Sequence, residues 1–298
     1  MGRFVMPRAS TLDVVNARRI VIQGVTGAGK STAAREWAAM MNVQVIDYDN
    51  DVLWMPAALS PWTQYSPEQQ RERVRRHMRA GAWVMASCGS RTTDIVYPQT
   101  DVIVYLDYSP LVTFTRLFKR TMGRALRGET CCNGNKESLR LALLSKDSIF
   151  LWWLQTWRER RNHARSMEED ATMPPVYRLT HPRQFQELLS TTLASMPTIY
   201  GDTLDEAGRC THYHSDVDVI ANKCAICNKY WACYKCHAAA ADHSFGAMDL
   251  QSRAVMCGAC GHEMNFDEYA GSTNGCPRCG QRFNPGCSLH RHIYFQLD

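Results

Sequence analysis

Four C-x-x-C pairs fall within residues 210–298: Cys224/Cys227, Cys233/Cys236, Cys257/Cys260 and Cys276/Cys279. Ten of the chain's 13 cysteines and seven of its 10 histidines lie in the same stretch. A C-x-x-C pair lets two thiolates reach one ion from a tight knuckle, and two such pairs complete a tetrahedron. Cys257/Cys260 and Cys276/Cys279 are separated by 15 residues, the spacing of one structural zinc site. Disulfides are the competing use of so many cysteines. The N-terminus, Met1 to Ser10, has no apolar run behind its charges, so no export signal is expected, and cytosolic thiols stay reduced. Redox chemistry would require partly exposed thiols of low pKa. A small, irregular, zinc-stabilised domain is therefore expected at the C-terminal end.

The charge divides at the same place. Residues 210–298 hold 7 Lys+Arg and 8 Asp+Glu, a balance of −1. The first 209 residues hold the other 27 and 21, a balance of +6. The near-neutral tail has no basic stripe, which disfavours direct DNA binding. The modest excess in front suits a small anionic ligand. No run approaches the ~18 apolar residues of a membrane span, so a cytoplasmic protein without a membrane segment is expected.

The first half opens with a β-branched run, Arg19 to Gln23, then Gly24-Val-Thr-Gly-Ala-Gly29-Lys30-Ser31, then the helical stretch Thr32 to Met41. This is G-x-x-x-x-G-K-[ST] in strand–loop–helix context. Its residues Gly24, Thr26, Gly27, Ala28, Gly29, Lys30, Ser31 and Thr32 are expected to cradle the phosphates of ATP. The glycines let backbone N–H groups converge on phosphate oxygens, Lys30 reaches the β- and γ-phosphates, and Ser31 binds Mg²⁺. Further strands are expected at 43–46, 83–85, 101–106 and 176–179. Helices are expected at 67–79, 110–126, 136–144, 148–163 and 182–193. Such alternation gives an α/β fold, a parallel sheet covered by helices, with ligands at the carboxyl ends of the strands. The acidic cluster Asp47, Asp49 and Asp51 falls at such an end. One of these, with Asp49 the choice, is expected to take the acceptor's proton or hold Mg²⁺ through water. Arg116, Arg120, Arg124 and Arg127 share one helical face, and Arg120 and Arg124 are expected to stabilise the transferring phosphoryl group. The run from Ile149 to Leu154 reads as core.

Residues 18–196 resemble the P-loop kinases of the adenylate-kinase-like and DNA topology-modulation group. The matching pieces are Gly24–Thr32, Leu53-Trp54-Met55-Pro56, Gly81–Val84 and Val104–Tyr108, with the more specific Asn133-Gly-Asn-Lys136-Glu137-Ser-Leu139 and Lys146-Asp-Ser148-Ile149. The resemblance implies a nucleotide-kinase-like fold, ATP as phosphoryl donor and an arginine-bearing lid. The acceptor of that group is largely unassigned, and a small acceptor such as a nucleotide is the expectation here. The chain departs from that group at Ala86-Ser87-Cys88-Gly89, where relatives carry Asp.

Residues 210–296 resemble the CHY-type zinc finger. The resemblance rests on Cys210-Thr-His212-Tyr213, Tyr230-Trp-Ala-Cys233-Tyr-Lys-Cys236-His237, Asp242-His243, Cys257-Gly-Ala-Cys260, Cys276-Pro-Arg-Cys279 and Phe283-Asn-Pro-Gly-Cys287. It implies three structural zincs; a folded zinc module of this size commonly binds protein, so a protein partner is also expected. One set is Cys210, His212, Cys233 and Cys236; another is Cys224, Cys227, His237 and His243; the third is Cys257, Cys260, Cys276 and Cys279. The assignment within the first two is open to exchange. Cys287, His290 and His292 are left over, and residues 197–209 read as a linker.

Overall fold

A computed structural model describes residues 9–136, 145, 148–195, 197–272 and 275–297. The chain divides into two compact units, Met1–Ala38 with Gln44–Thr192, and Ala39–Val43 with Leu193–Asp298.

In the first unit, α1 (Thr11–Asn16) leads into β1 (Arg19–Gly24), α2 (Lys30–Met40) and β2 (Gln44–Asp47). A π-helical turn (Asp49–Leu53), α3 (Pro67–His77), β3 (Trp83–Ala86), α4 (Thr93–Val96) and β4 (Val102–Leu106) follow. Next come α5 (Pro110–Arg127), the hairpin of β5 (Thr130–Cys131) and β6 (Asn135–Lys136), α6 (Ile149–Glu169), β7 (Val176–Leu179) and α7 (Pro182–Ser195). The sheet order is β2-β3-β1-β4-β7, and every pair in it is parallel. β3 and β4 are buried along their whole length, as strands covered on both faces must be. Ser66 caps α3 with Gln69 reaching back, and Pro67 stands at the first helical position where its missing N–H costs nothing.

One reading of the sequence changes here. Of the run 149–154, only Phe150 and Trp153 are buried. Leu151, Trp152 and Leu154 stay 43%, 49% and 57% exposed, because a helix of 3.6 residues per turn turns one stripe inward and cannot bury six consecutive side chains against one neighbour. Phe150 and Trp153 pack with Leu117 and Phe114 of α5. Of the helix expected over 136–144, Lys136 belongs to β6 and residues 137–144 lie outside the described residues, as do Lys146 and Asp147 of the resemblance.

The second unit has a five-stranded sheet of order β12-β11-β9-β10-β8. Its strands are β8 (Ile199–Tyr200), β9 (Ile220–Lys223), β10 (Tyr230–Trp231), β11 (Val255–Cys257) and β12 (His262–Met264). Short helices α8 (Tyr234–Ala240), α9 (Phe266–Gly271) and α10 (Arg291–Tyr294) complete it. Residues 197–209, read as linker, contribute β8, whose Ile199 and Tyr200 pair with Tyr230 and Trp231. The apolar core is small: Ile220, Val255, Met264, Tyr294 and Phe295 form one cluster, into which Cys257, Cys260 and Cys276 are packed. Among the described residues no helix is long and apolar enough to cross a membrane.

Candidate nucleotide site and metal centres

β1 delivers the glycine-rich loop to the carboxyl edge of the sheet, and α2 begins at Lys30. Gly24, Gly27 and Gly29 have φ of +148°, +87° and +98°. Gly27 is required twice over: its φ suits glycine, and a Cβ there would overlap the backbone carbonyl of Thr113 in α5. At Gly29 the nearest atom to such a Cβ is Arg116 Nη1 at 3.6 Å, so the loop is open on that side. Thr26 and Ser31 are half-buried, Ala28 is buried and Thr32 is exposed.

Lys30 is the electrostatic centre. Its Nζ donates to Val25 O at 3.2 Å. Desolvation brings its pKa down to about 8. Asp49 opposes this most, Arg120 and Arg160 add to it, and Asp47 opposes it. Asp49 has its carboxyl raised by burial, against the pull of Lys30. The fold therefore brings Lys30, Asp49, Asp47 and Arg120 into one field, with Arg160 joining from α6. Asp51 turns away: its Oδ2 accepts the Asp47 N–H at 2.8 Å and closes the turn.

The four-arginine stripe of α5 divides its work. Arg116 Nη1 donates to Ala28 O at 3.2 Å and so braces the phosphate loop. Arg120 acts on Lys30 and Asp49. Arg124 acts on Cys132 and Glu129. Arg127 pairs with Glu129. Asp107, also at a strand end, is buried between Arg161 at 3.3 Å and Arg178 at 3.0 Å and holds β4, α6 and β7 together. Arg160 escaped the sequence reading because nothing local marks it; it reaches Lys30 only through the packing of α6.

The Asn-Gly-Asn motif ties the β5–β6 hairpin to the segment behind the acidic cluster. Asn133 N donates to Asn50 Oδ1 at 2.7 Å, Asn133 Nδ2 to Trp54 O at 3.0 Å, and Trp62 N to Asn135 Oδ1 at 2.6 Å. Cys132, Asn133 and Gly134 are consecutively left-handed, which makes the turn. At the end of β3, Ala86 stands in register with Asp47 of β2, so a carboxylate remains one strand away.

In the second unit the side chains of Cys210, His212, Cys233 and Cys236 gather at one point; Cys224, Cys227, His237 and His243 at a second; Cys257, Cys260, Cys276 and Cys279 at a third. Within each group the ligand atoms lie within 4.8 Å of one another. Zn–S bonds of about 2.3 Å and Zn–N bonds of about 2.0–2.1 Å set tetrahedral edges of roughly 3.8 Å for S···S, 3.5 Å for S···N and 3.3 Å for N···N. Cys210–Cys233 is 3.7 Å and Cys236–His212 3.4 Å. Cys224–His243 is 3.6 Å and His237–His243 3.2 Å. Cys257–Cys279 is 3.9 Å and Cys260–Cys276 3.7 Å. The thiols are far from the about 2.05 Å of a disulfide. All three groups fit tetrahedral zinc, as Cys₃His, Cys₂His₂ and Cys₄. With four protein ligands each, they would be structural centres.

Three of the C-x-x-C pairs share one knuckle. The residue after the second cysteine is left-handed: Asn228 (φ +55°), Gly261 (+69°) and Gly280 (+75°). Its N–H returns to the first cysteine's carbonyl at 2.8, 2.8 and 2.9 Å. The fourth pair differs: Cys233 is the N-cap of α8, its Sγ accepting the Cys236 N–H at 3.3 Å. Burial raises the Cys224 thiol, but N–H groups of Cys227, Gly246 and Ile226 outweigh it and bring it down to about 7, toward the thiolate a metal needs. His243 Nδ1 lies 2.9 Å from Asp242, an outer carboxylate that orients the ring. Cys287, His290 and His292 join none of the three groups. Cys287 packs against the apolar cluster, and the His290 ring lies 5.3 Å from Tyr234.

The CHY zinc finger family profile matches residues 210–285. Helper of Tim protein 13 of Saccharomyces cerevisiae is 45% identical over 104 residues, covering 33% of this chain and 90% of that protein. Its namesake in Kluyveromyces lactis is 43% identical over 103 residues, 34% of this chain and 90% of that one. Among solved structures, a deoxyadenosine kinase from M. mycoides covers 59% of this chain and 99% of its own, at 14% identity and a TM-score of 0.38. A gluconokinase from Sinorhizobium meliloti covers 59% and 89%, at 18% identity and a TM-score of 0.35. The twelve ligands, their tetrahedral spacing and a near-complete match to proteins of this kind agree: the chain belongs to the CHY zinc finger family.

Proposed function

We propose that the first unit binds ATP with Mg²⁺ and transfers its terminal phosphoryl group to a small acceptor, such as a nucleotide, while the zinc unit engages a protein. The observation that carries the catalytic reading is the shared field of Lys30, Asp49 and Arg120 at the mouth of the glycine-rich loop. Lys30 and the loop N–H groups would hold the phosphates, and Ser31 would hold the Mg²⁺ that neutralises them. Asp49, its carboxyl raised by burial, is suited to take a proton from an acceptor hydroxyl. Arg120, Arg124 and Arg160 would face the negative charge of the transferring group. A third of this chain suffices to match 90% of Helper of Tim protein 13, whose name describes aid to another protein, which supports the protein-facing role.

A second reading has an observation of its own. β3 ends on the apolar Ala86, in the stretch where the resemblance to topology-modulation kinases implies an Asp, and this supports a nucleotide-dependent switch with little turnover. One screen separates the two: labelled ATP and Mg²⁺ with nucleoside monophosphates, nucleosides and small hydroxyl metabolites. Transfer to an acceptor that is lost in Asp49→Asn establishes the kinase. ATP binding with no transfer to any acceptor establishes the switch, and no ATP binding removes both.

A further inference from the structure

The three metal centres are not alike in how they are joined. Cys236 and His237 are adjacent on α8, yet Cys236 belongs to the first group and His237 to the second. A peptide bond thus links ligands of two different ions. A metal that fixes Cys233 and Cys236 caps and orders α8, and this alone aims the buried His237 ring at the second group. Trp231 adds a second link. Its Nε1 donates to Cys227 Sγ at 3.4 Å, its ring meets His237 edge-on at 4.9 Å, and two residues later the chain reaches Cys233. Cys210, Cys224, Trp231, Cys233 and Cys236 pack in one cluster. The third group is built otherwise: two knuckles of one kind, supported by β11 and its hairpin with β12, within the cluster of Val255, Met264 and Phe295. That cluster touches α8 at Tyr234 and shares Phe245 with the first cluster but holds no ligand of the first two groups. No ligand of the third group is sequence-adjacent to a ligand of the others.

We propose that the first two centres fill and empty as one binuclear unit, and that the Cys₄ centre loads on its own. Emptying either of the paired centres frees α8, which lowers the other's affinity because that ion must then order the helix unaided. No ligand of the Cys₄ centre lies on that helix.

Cobalt(II) reports each site separately, because Cys₃His, Cys₂His₂ and Cys₄ coordination give different visible absorption bands. The full-length apo-protein is titrated with Co²⁺ under reducing conditions. The Cys₃His and Cys₂His₂ bands should rise together at constant ratio, with the Cys₄ band following its own isotherm. Three separate isotherms, or one isotherm for all three, overturn the proposal. Zinc content after dialysis against a weak chelator gives a second readout. Cys227→Ala, which removes a ligand from the second centre alone, should retain one zinc and lose two. Cys279→Ala should retain two. Two zincs in Cys227→Ala mean independent centres, none means a single cooperative module, and either result removes the binuclear unit.

Discussion

Lys30 concentrates the chemistry of the first unit in one residue. Its pKa of about 8 lies below the unfolded value, so between about 8 and 10.5 the unfolded chain binds the extra proton. The free protein should therefore gain stability as pH rises through that window. Phosphate binding needs the charged form, so nucleotide affinity should fall over the same range, and binding near pH 9 should take up a proton. Calorimetry in buffers of different ionisation enthalpy checks both signs; an affinity flat from pH 7 to 9.5 would remove Lys30 from the phosphates. Lys30→Ala deletes a charge-assisted contact of roughly 1.5–3 kcal/mol, one to two orders of magnitude in Kd, and should abolish transfer. At Gly27 the loop touches α5 backbone, so Gly27→Val should displace loop and helix together. A loss of nucleotide binding with the thermal transition lowered by several degrees is expected. Unchanged binding would show that the loop tolerates the displacement.

At the scale of elements, what could be read from the sequence was what is local. The glycine-rich loop is legible because eight consecutive residues carry both its geometry and its chemistry. The three cysteine-rich centres are legible because a knuckle needs only its own few residues. Even the difference among the four C-x-x-C pairs is written down: Asn228, Gly261 and Gly280 follow the three knuckles, while His237 follows the pair that caps a helix. Only residues at ease in the left-handed region close the knuckle. Gly261→Val should therefore weaken the Cys₄ centre, seen as faster zinc loss to a chromogenic chelator with the other two zincs retained. Loss at the unmodified rate would mean that the turn carries no strain. What could not be read depends on distance along the chain. Arg160 meets Lys30 only once α6 has packed on α5. Strand β8 has no periodicity in two residues; β10 recruits it. The exposed face of α6 was hidden by an apolar run whose composition, without its angular positions, reads as core.

At the scale of the whole chain, the two units obtain their stability from different sources. The first buries Trp37, Trp83, Ile20, Ile22, Met85, Ile103 and Leu106 against a parallel sheet, an apolar core that needs no ion. The second has a small core interleaved with its own ligands, and its five strands are each two to four residues long. Without metal, its thiolates and imidazoles would crowd together uncompensated, so zinc must supply much of that unit's folding free energy. Protein purified without added metal should contain about three zincs, and a value near zero with free thiols gone would indicate disulfides instead. A strong chelator at neutral pH should then unfold the second unit and leave the first intact. Limited proteolysis after chelation should yield a resistant fragment ending near residue 195. ATP binding, assayed without Mg²⁺ because the chelator removes that ion too, should persist in it. Digestion of the whole chain at one rate would mean that the zinc unit is part of the first unit's folding and that the division near Leu193 is not a thermodynamic one.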